Sequence, residues 1–322
     1  MHLSPPLEPM LARPVSALPA SGRRAVFEPK MDGYRVVVFA GPAPYLQSRW
    51  GAPLSGAFPE IARAAASLGV EAVVDAELVV SSGAGRLDFA ALQQRARRRG
   101  AGAERAAVEQ PAHLVVFDLL EVEGAVLLTE PLHRRRTALE ELFAARRLSA
   151  PWALCPQTTD REAACAWLDP AWGAVGVEGV MIKDPASRYR PGARGWDKLR
   201  ARTTAEAVIG AVTGTCHSPT SLLLGRFGAS GRLRMVGRTT PLSRAAAAEL
   251  SGVLRTAGRE HPWYGRKFFS GWNSAEPLAF QPVAPEFVAE IAADTAVDSG
   301  RYRHPVRYLR LRGDMAATDV RE

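Results

Sequence analysis

Glu28-Pro29-Lys30-Met31-Asp32-Gly33-Tyr34-Arg35 leads straight into the apolar run Val36-Val37-Val38-Phe39, which reads as a β-strand. Taken alone, Lys-x-Asp-Gly-x-Arg is also what a polar loop with a glycine turn would give. Four later segments decide between the two readings, because each sets polar groups on a strand where core packing alone would select apolar ones. Asp75-Ala76-Glu77 lies inside a Val/Leu stretch, and the two-residue period puts both carboxylates on one face. Val115-Val116-Phe117-Asp118 and Glu178-Gly179-Val180-Met181-Ile182-Lys183 follow, the same period setting Lys183 on the face opposite Glu178. Trp196-Asp197-Lys198-Leu199-Arg200 closes the series with Trp196, Lys198 and Arg200 to one side. A carboxylate in a hydrophobic strand is costly unless paired, hydrogen-bonded or metal-bound. Its repetition on several strands predicts a site assembled from all of them.

The composition narrows the chemistry. Of 41 basic residues, 37 are Arg and only Lys30, Lys183, Lys198 and Lys267 are Lys. In a chain so biased toward Arg, a lysine marks a place where guanidinium will not serve: Arg stays protonated, whereas Lys can lose its proton and act as an amine nucleophile. The net charge is +8, with a pI near 9.8, which permits a polyanionic partner. Residues 1–200 hold 25 Lys and Arg against 22 Asp and Glu, and residues 201–322 hold 16 against 11, so the shorter part is the more basic per residue. Cys155, Cys165 and Cys216 are odd in number and lack metal spacing, which excludes a disulfide scaffold and a four-cysteine zinc module. No apolar run approaches the roughly 18–20 residues of a membrane span, and the Pro-rich start from Met1 to Pro19 lacks the pattern of a signal peptide. A reducing cytoplasm is the expected setting.

With 322 residues, 47% of them hydrophobic, the chain is long enough for two domains with separate cores. Strands at 36–39, 72–80, 113–120 and 177–183 alternate with helical stretches. One carries Ile61, Ala64, Ala65 and Leu68 at i, i+3, i+4 and i+7, and another carries Leu139, Leu142 and Phe143. The arginines ending the Asp88–Arg99 helix read as a solvated terminus. After about residue 203 the pattern changes to short antiparallel strands at 207–214, 221–227, 232–238, 283–291 and 306–311, with one helix over 243–256. That pattern suggests a small β-barrel.

In their order and spacing, the polar segments resemble motifs I, III, IIIa, IV and V of the covalent nucleotidyltransferases: DNA ligases, RNA ligases and mRNA-capping enzymes. They are most like the short stand-alone C-type among bacterial ATP-dependent DNA ligases. Pro9-Met10-Leu11-Ala12, Ser48-Arg49 (similar to motif Ia), Leu87–Arg95 and Ser187–Arg200 extend the likeness over nearly the whole chain. The resemblance implies an α+β nucleotidyltransferase (ATP-grasp-like ligase) domain over residues 1–202, followed by an all-β OB-fold domain over 203–322. It implies that Lys30 attacks the α-phosphate of ATP and carries AMP as a phosphoramidate. AMP then passes to the 5′-phosphate of a nick in duplex DNA, to be displaced by the 3′-hydroxyl. The amine must be neutral to attack, a form that Lys198, Arg200 and a divalent metal would favour.

By the same resemblance Phe117 stacks on adenine, Glu77 holds the ribose and Glu28 joins the nucleotide-binding set. Arg35 and Arg49 bind nucleotide or nick phosphate, and Lys198 and Arg200 clamp the α-phosphate. Asp32 and Glu178 serve Mg²⁺, with Mn²⁺ an alternative. Read alone, Phe117 is equally a core aromatic and Arg49 a surface cation. The end of the chain, Arg303 to Asp314, resembles motif VI, in which Arg312 aligns pyrophosphate; alternation puts Tyr308, Arg310 and Arg312 on one face. The loop Trp263–Phe269 mixes aromatics with cations, suiting either contact with DNA or packing on the barrel. Three positions depart from the family pattern: Met315 where a lysine is usual, Asp197 where an apolar residue is usual, and Arg200 in place of lysine. Asp197 is expected to turn away from Lys198 toward an arginine.

The expected protein is a monomeric, cytoplasmic, nucleoid-associated DNA repair ligase, working with polymerase or nuclease partners in trans and with no membrane partner. RNA ligase or capping activity, and a non-catalytic nick-binding module, are the alternative readings.

Overall fold

In a computed structural model that describes residues 1–20, 24–82, 85–269, 276–294 and 296–321, the chain divides into two units, Met1–Ala201 and Arg202–Glu322. The first holds strands β1 (Leu11–Pro14), β2 (Val26–Met31), β3 (Tyr34–Ala40), β4 (Tyr45–Ser48), β5 (Ala72–Val80), β6 (Ala112–Val122), β7 (Ala125–Val126), β8 (Trp152–Leu154), β9 (Val177–Lys183) and β10 (Arg194–Arg200). Its helices are α1 (Pro59–Ala66), α2 (Phe89–Ala96), α3 (Gly100–Glu109), α4 (Leu132–Ala145), α5 (Arg161–Ala166) and α6 (Pro170–Ala174). Six strands form a sheet in the order β4-β3-β5-β6-β7 with β8 beside β6, and four form a second in the order β1-β10-β9-β2.

The uninterrupted Val36–Phe39 run follows from burial on both sides of the larger sheet. Val36 and Val38 meet Ile61 of α1, Leu92 of α2 and Leu139 of α4, whereas Val37 and Phe39 meet Met10, Tyr189 and Trp196 on the side of the smaller sheet. A strand covered on both faces has no polar face to alternate with. The outer face of the smaller sheet is covered in turn, with Phe27, Val180, Ile182 and Leu199 against Ala164 of α5. Side chains placed between the two sheets are therefore enclosed, and the polar ones there form the candidate site.

Two local features set that space. The chain leaves the small sheet at the end of β2 and enters the large one at β3, so Lys30 lies at the crossing, on a strand rather than in a loop. Gly33 makes the crossing tight: a Cβ there would stand 2.5 Å from the Leu78 carbonyl oxygen. Opposite Lys30, the pairing of β2 with β9 slips from Pro29↔Val180 to Met31↔Val177, so β9 carries one extra residue. Gly179 permits this bulge, with φ +148° and no room for a Cβ, which would fall 2.1 Å from the Leu199 carbonyl oxygen. The bulge breaks the simple two-residue period and corrects the expectation that Glu178 and Lys183 point opposite ways.

The arginine run at the end of α2 is also not uniformly solvated. Arg95 is fully buried and holds both carboxylate oxygens of Glu60, at 2.6 and 3.1 Å.

The second unit is a sheet of β11 (Arg202–Thr215), β12 (Ser218–Phe227), β13 (Leu233–Arg238), β14 (Gln281–Pro282), β15 (Val288–Asp294) and β18 (Arg307–Leu311), in the order β13-β12-β11-β15-β18 with β14 on β11. A bridge between Thr239 and Val306 joins the two edges and closes the sheet on itself, as expected for a small barrel. Helix α7 (Arg244–Val253) is capped by Ser243, whose side chain accepts from the Ala246 amide, and it buries Leu250 against the barrel. A hairpin of β16 (Val297–Asp298) and β17 (Arg301–Tyr302) stands beside it.

Candidate active site

Lys30 Nζ donates to Glu178 Oε1, a contact that the β9 bulge makes by aiming Glu178 at the sheet crossing. The lysine side chain is 19% exposed, enough for a substrate to reach, whereas Glu178 is buried. Around the pair stand further cations. Lys198 has its pKa lowered, first by burial and then by the charges of Arg200, Lys30 and Arg49, with Glu178 acting the other way. Arg49, beyond the end of β4, has its pKa lowered by burial and by Arg35 and Arg194; its guanidinium lies 5.2 Å from the Trp50 ring centre. The lowering of Lys198 by three neighbouring cations and of Arg49 by two marks a concentration of positive charge, which suits phosphate anions.

Glu77, on β5, has its carboxyl pushed up to about 8, chiefly by burial; Lys30 and Arg35 act against the shift, and Glu178 and Asp75 add to it. At neutral pH it is mostly a neutral acid, able to donate as well as accept hydrogen bonds. Arg35 is largely consumed by the protein itself. Its Nε and Nη2 donate to the two oxygens of Asp75 at 2.9 and 2.6 Å, and Nη1 donates to the Met10 carbonyl. Burial opposes its charge, but Asp75 outweighs that and the pKa is raised. The Tyr189 hydroxyl completes the pair by donating to Asp75 Oδ2 at 2.7 Å.

The third wall is aromatic. Phe117 meets Trp196 edge to face, ring centres 5.9 Å apart, and Trp196 meets Tyr189 at 5.8 Å. The Lys183 ammonium lies 4.6 Å from the Phe117 ring centre and 4.3 Å from that of Trp196, while pairing with Glu28 Oε2 at 2.6 Å. Gln157 Nε2 donates to Glu28 Oε1 at 3.0 Å. Glu28 and Lys183 are both buried. Sequence reasoning assigned no role to Lys183, Gln157, Tyr189 or Asp75. The scarcity of lysine was the available signal for Lys183, but simple strand alternation turned it away. Beneath this wall the Cys155 thiol is pushed up by burial and by Glu28, which keeps it protonated.

Among the described residues no group of three or more His, Cys, Asp or Glu side chains converges on a point. The donor set still fits a hard divalent ion, which takes one or two carboxylates and completes its shell with phosphate oxygens and water. Glu178 is aimed at Lys30 beside the other cations, and the Asp32 amide is fixed by the Gly176 carbonyl at 2.9 Å.

Of the three departures from the family pattern, two have a physical account. Asp197 pairs with Arg13, its register partner on β1, so the turn away from Lys198 ends on an arginine. Met315 packs against the barrel cluster of Val208, Leu223, Leu233 and Trp263, a place for an apolar side chain. Nothing in the structure explains Arg200 in place of lysine.

In the second unit Arg312 donates to both oxygens of Asp314 at 2.8 Å and to Glu206 Oε1 at 2.8 Å. The shared face expected for Tyr308, Arg310 and Arg312 is broken by a bulge on β18: the register passes from Glu290↔Arg310 to Ile291↔Tyr308. Tyr308 consequently packs on the barrel core, while Arg310 pairs with Glu290 at 2.7 Å.

A part-buried but reachable amine beside a carboxylate, a group of cations and an aromatic wall with a buried carboxylate suit transfer of a nucleotide to lysine. The family model for the ATP-dependent DNA ligase domain matches residues 9–200. The chain belongs to the ATP-dependent DNA ligase family. A second model, the ATP-dependent DNA ligase C-terminal region, matches residues 216–315. DNA ligase C of Mycobacterium tuberculosis is 32% identical over 335 residues, covering 98% of this ligase and 92% of the relative. The multifunctional non-homologous end joining protein LigD of Mycobacterium bovis is 31% identical over 98% of this ligase and 39% of its own length. The solved ligase domain of M. tuberculosis LigD has 29% identity and a TM-score of 0.53, with 98% of each chain covered. The protein is thus an ATP-dependent DNA ligase with a nucleotidyltransferase domain and an OB-fold, and no helix among its described residues is long and apolar enough to cross a membrane.

Proposed function

We propose that Lys30 is the nucleophile of a nick-sealing reaction, a reading carried by its contact with Glu178 amid Lys198, Arg200 and Arg49. Lys30 Nζ, its proton passed to Glu178, attacks the α-phosphorus of ATP. The Nζ–P bond forms as the bond to the pyrophosphate oxygen breaks, and pyrophosphate leaves with that electron pair. Lys198, Arg200 and Arg49 stabilise the charge on the phosphate oxygens. Glu77, largely protonated, donates to the ribose, and the base lies against Phe117 with Glu28 as acceptor. Arg35 positions this wall through Asp75.

Glu178 and Asp32 would hold a divalent cation, Mg²⁺ or Mn²⁺, which would supply charge neutralisation on the phosphates. Reprotonation of Nζ then weakens the P–N bond and AMP passes to the 5′-phosphate of the nick. The 3′-hydroxyl oxygen attacks that phosphate and AMP leaves. Arg312 of the OB-fold domain, taken as residues 203–322, aligns pyrophosphate in the first step.

The partner is nicked duplex DNA, bound by a monomer in the cytoplasm at the nucleoid. The setting is DNA repair with polymerase or nuclease partners in trans, as the end-joining name of the LigD relative supports. Incubation with ATP labelled at the α-phosphate, followed by denaturing electrophoresis, tests the first step. Wild type should retain label, pass it to the 5′-phosphate of nicked DNA and release it as AMP on sealing, and Lys30→Ala should retain none. Labelling that persists in Lys30→Ala overturns the assignment.

A further inference from the structure

The OB-fold unit contains a cavity of about 450 Å³ that the sealing chemistry does not use. It lies between β13, the β16–β17 hairpin and the loop through Lys267–Phe269, and its volume is in the range of small-molecule sites. Arg238, Lys267 and Arg301 line it, with Arg303 and His304 beside them, and Asp298 is the sole carboxylate among the described lining residues. Asp298 is already engaged, its Oδ1 accepting from Ser299 Oγ at 3.0 Å.

The cavity also has an aromatic lining held in place from behind. Phe268 is fixed edge to face on buried Trp263 at 5.2 Å and against Phe280 at 5.3 Å, and Trp263 Nε1 donates to the Leu233 carbonyl at 2.9 Å. This anchor leaves the neighbouring Phe269 ring 45% exposed at the cavity. The Tyr302 ring rests on Gly237, where a Cβ would stand 3.1 Å from Tyr302 Cδ2, and its hydroxyl accepts from Arg226 Nη2 at 3.2 Å. The hairpin that presents Arg301 turns through Ser299 and Gly300, at φ 49° and 76°, a tight two-residue turn. The aromatic–cationic loop noted in the sequence therefore does two things: Trp263 and Phe268 pack on the barrel, and Lys267 and Phe269 face outward into the cavity.

Cations alone would suit any stretch of phosphate backbone. Rings and cations converging on one concavity suit a nucleotide whose base is free to leave the stack, because a paired base shows proteins only its edges. We infer that this cavity binds an unpaired nucleotide of single-stranded DNA, such as the first residue of an overhang or flap beside the end to be joined. The inference rests on DNA being the polymer handled, but not on Lys30.

Fluorescence anisotropy with a blunt duplex and the same duplex carrying a single-stranded overhang tests it. Wild type should bind the overhang duplex more tightly. Phe269→Ala should reduce that preference by about fivefold or more, the lower end of one base–aromatic stack, and Lys267→Ala with Arg301→Ala should reduce it also. In all these variants nicked-duplex binding and labelling of Lys30 should stay at wild-type levels, so failure here is distinct from failure of the sealing mechanism. Equal binding of the blunt and overhang duplexes by wild type overturns the proposal. So does equal weakening of both duplexes in the variants, which marks a general phosphate surface. Loss of the preference to inorganic pyrophosphate, with Phe269→Ala unaffected, marks an anion site only and also overturns it.

Discussion

Replacing Asp75 with alanine removes an acceptor shared by Arg35 Nε at 2.9 Å, Arg35 Nη2 at 2.6 Å and the Tyr189 hydroxyl at 2.7 Å. Asp75 is fully buried, and the Arg35 guanidinium lies 5.0 and 5.6 Å from the Trp196 and Phe117 ring centres. Arg35 cannot shed its proton, so the variant leaves a charge without its counter-ion between the two sheets. Breaking one partner of such a pair costs about 3–5 kcal/mol, more than any single hydrogen bond because the remaining charge stays desolvated. For a domain of this size, 1 kcal/mol moves the midpoint by roughly 2–4 °C, so the thermal transition of Met1–Ala201 should fall by roughly 6–20 °C. Scanning calorimetry reads the shift. The double variant Asp75→Leu with Arg35→Met replaces the pair by apolar volume and should regain most of the loss. A shift of the Asp75→Ala midpoint below about 2 °C, the scale of an exposed ion pair, would refute the reasoning. A double variant no more stable than the single one would refute it equally.

Glu77 gives a pH prediction. Its folded pKa of about 8 lies above the ordinary 4.5, so the stability it contributes is complete below 4.5 and is lost as pH rises through about 8. Between pH 6 and 8, wild type should lose roughly 2–3 kcal/mol relative to Glu77→Gln in urea titrations, at about 1.4 kcal/mol per unit; parallel curves would exclude the shift. Gly179→Ala places a Cβ 2.1 Å from the Leu199 carbonyl at φ +148°, and should lower the urea midpoint and stop labelling of Lys30 together; retention of both would show that the bulge is dispensable. Glu178→Gln keeps the shape but cannot take the Lys30 proton, so labelling should slow by about 10²-fold or more while thermal stability holds; an unchanged rate would remove Glu178 from the first step.

Much of this site was legible in the chain because its signals are local. Lys30, Glu77, Phe117, Glu178 and Lys198 announced themselves as polar or aromatic groups interrupting apolar strands, or as rare lysines among arginines. Strands 72–80 and 177–183 match the observed spans, since an apolar run between turn residues reflects burial on both faces of a sheet. The strand carrying Lys30 was not read as one, because Pro29 and two charged residues interrupt its hydrophobic pattern. Helix α3 was missed because its glycines and alanines give no clear periodicity.

By itself, the sequence determined which groups this protein sets aside for chemistry: rare amines, carboxylates and cations, placed in order along strands whose alternation can be read residue by residue. Only the tertiary structure decided which of those groups meet. The bulge at Gly179 joins Glu178 to Lys30, Arg35 is held by Asp75 and Tyr189, and Lys183 is brought under Phe117 against Glu28. Register between strands distant in the chain is fixed by pairing and by the space left for a Cβ, neither of which leaves a mark on a single strand's own pattern.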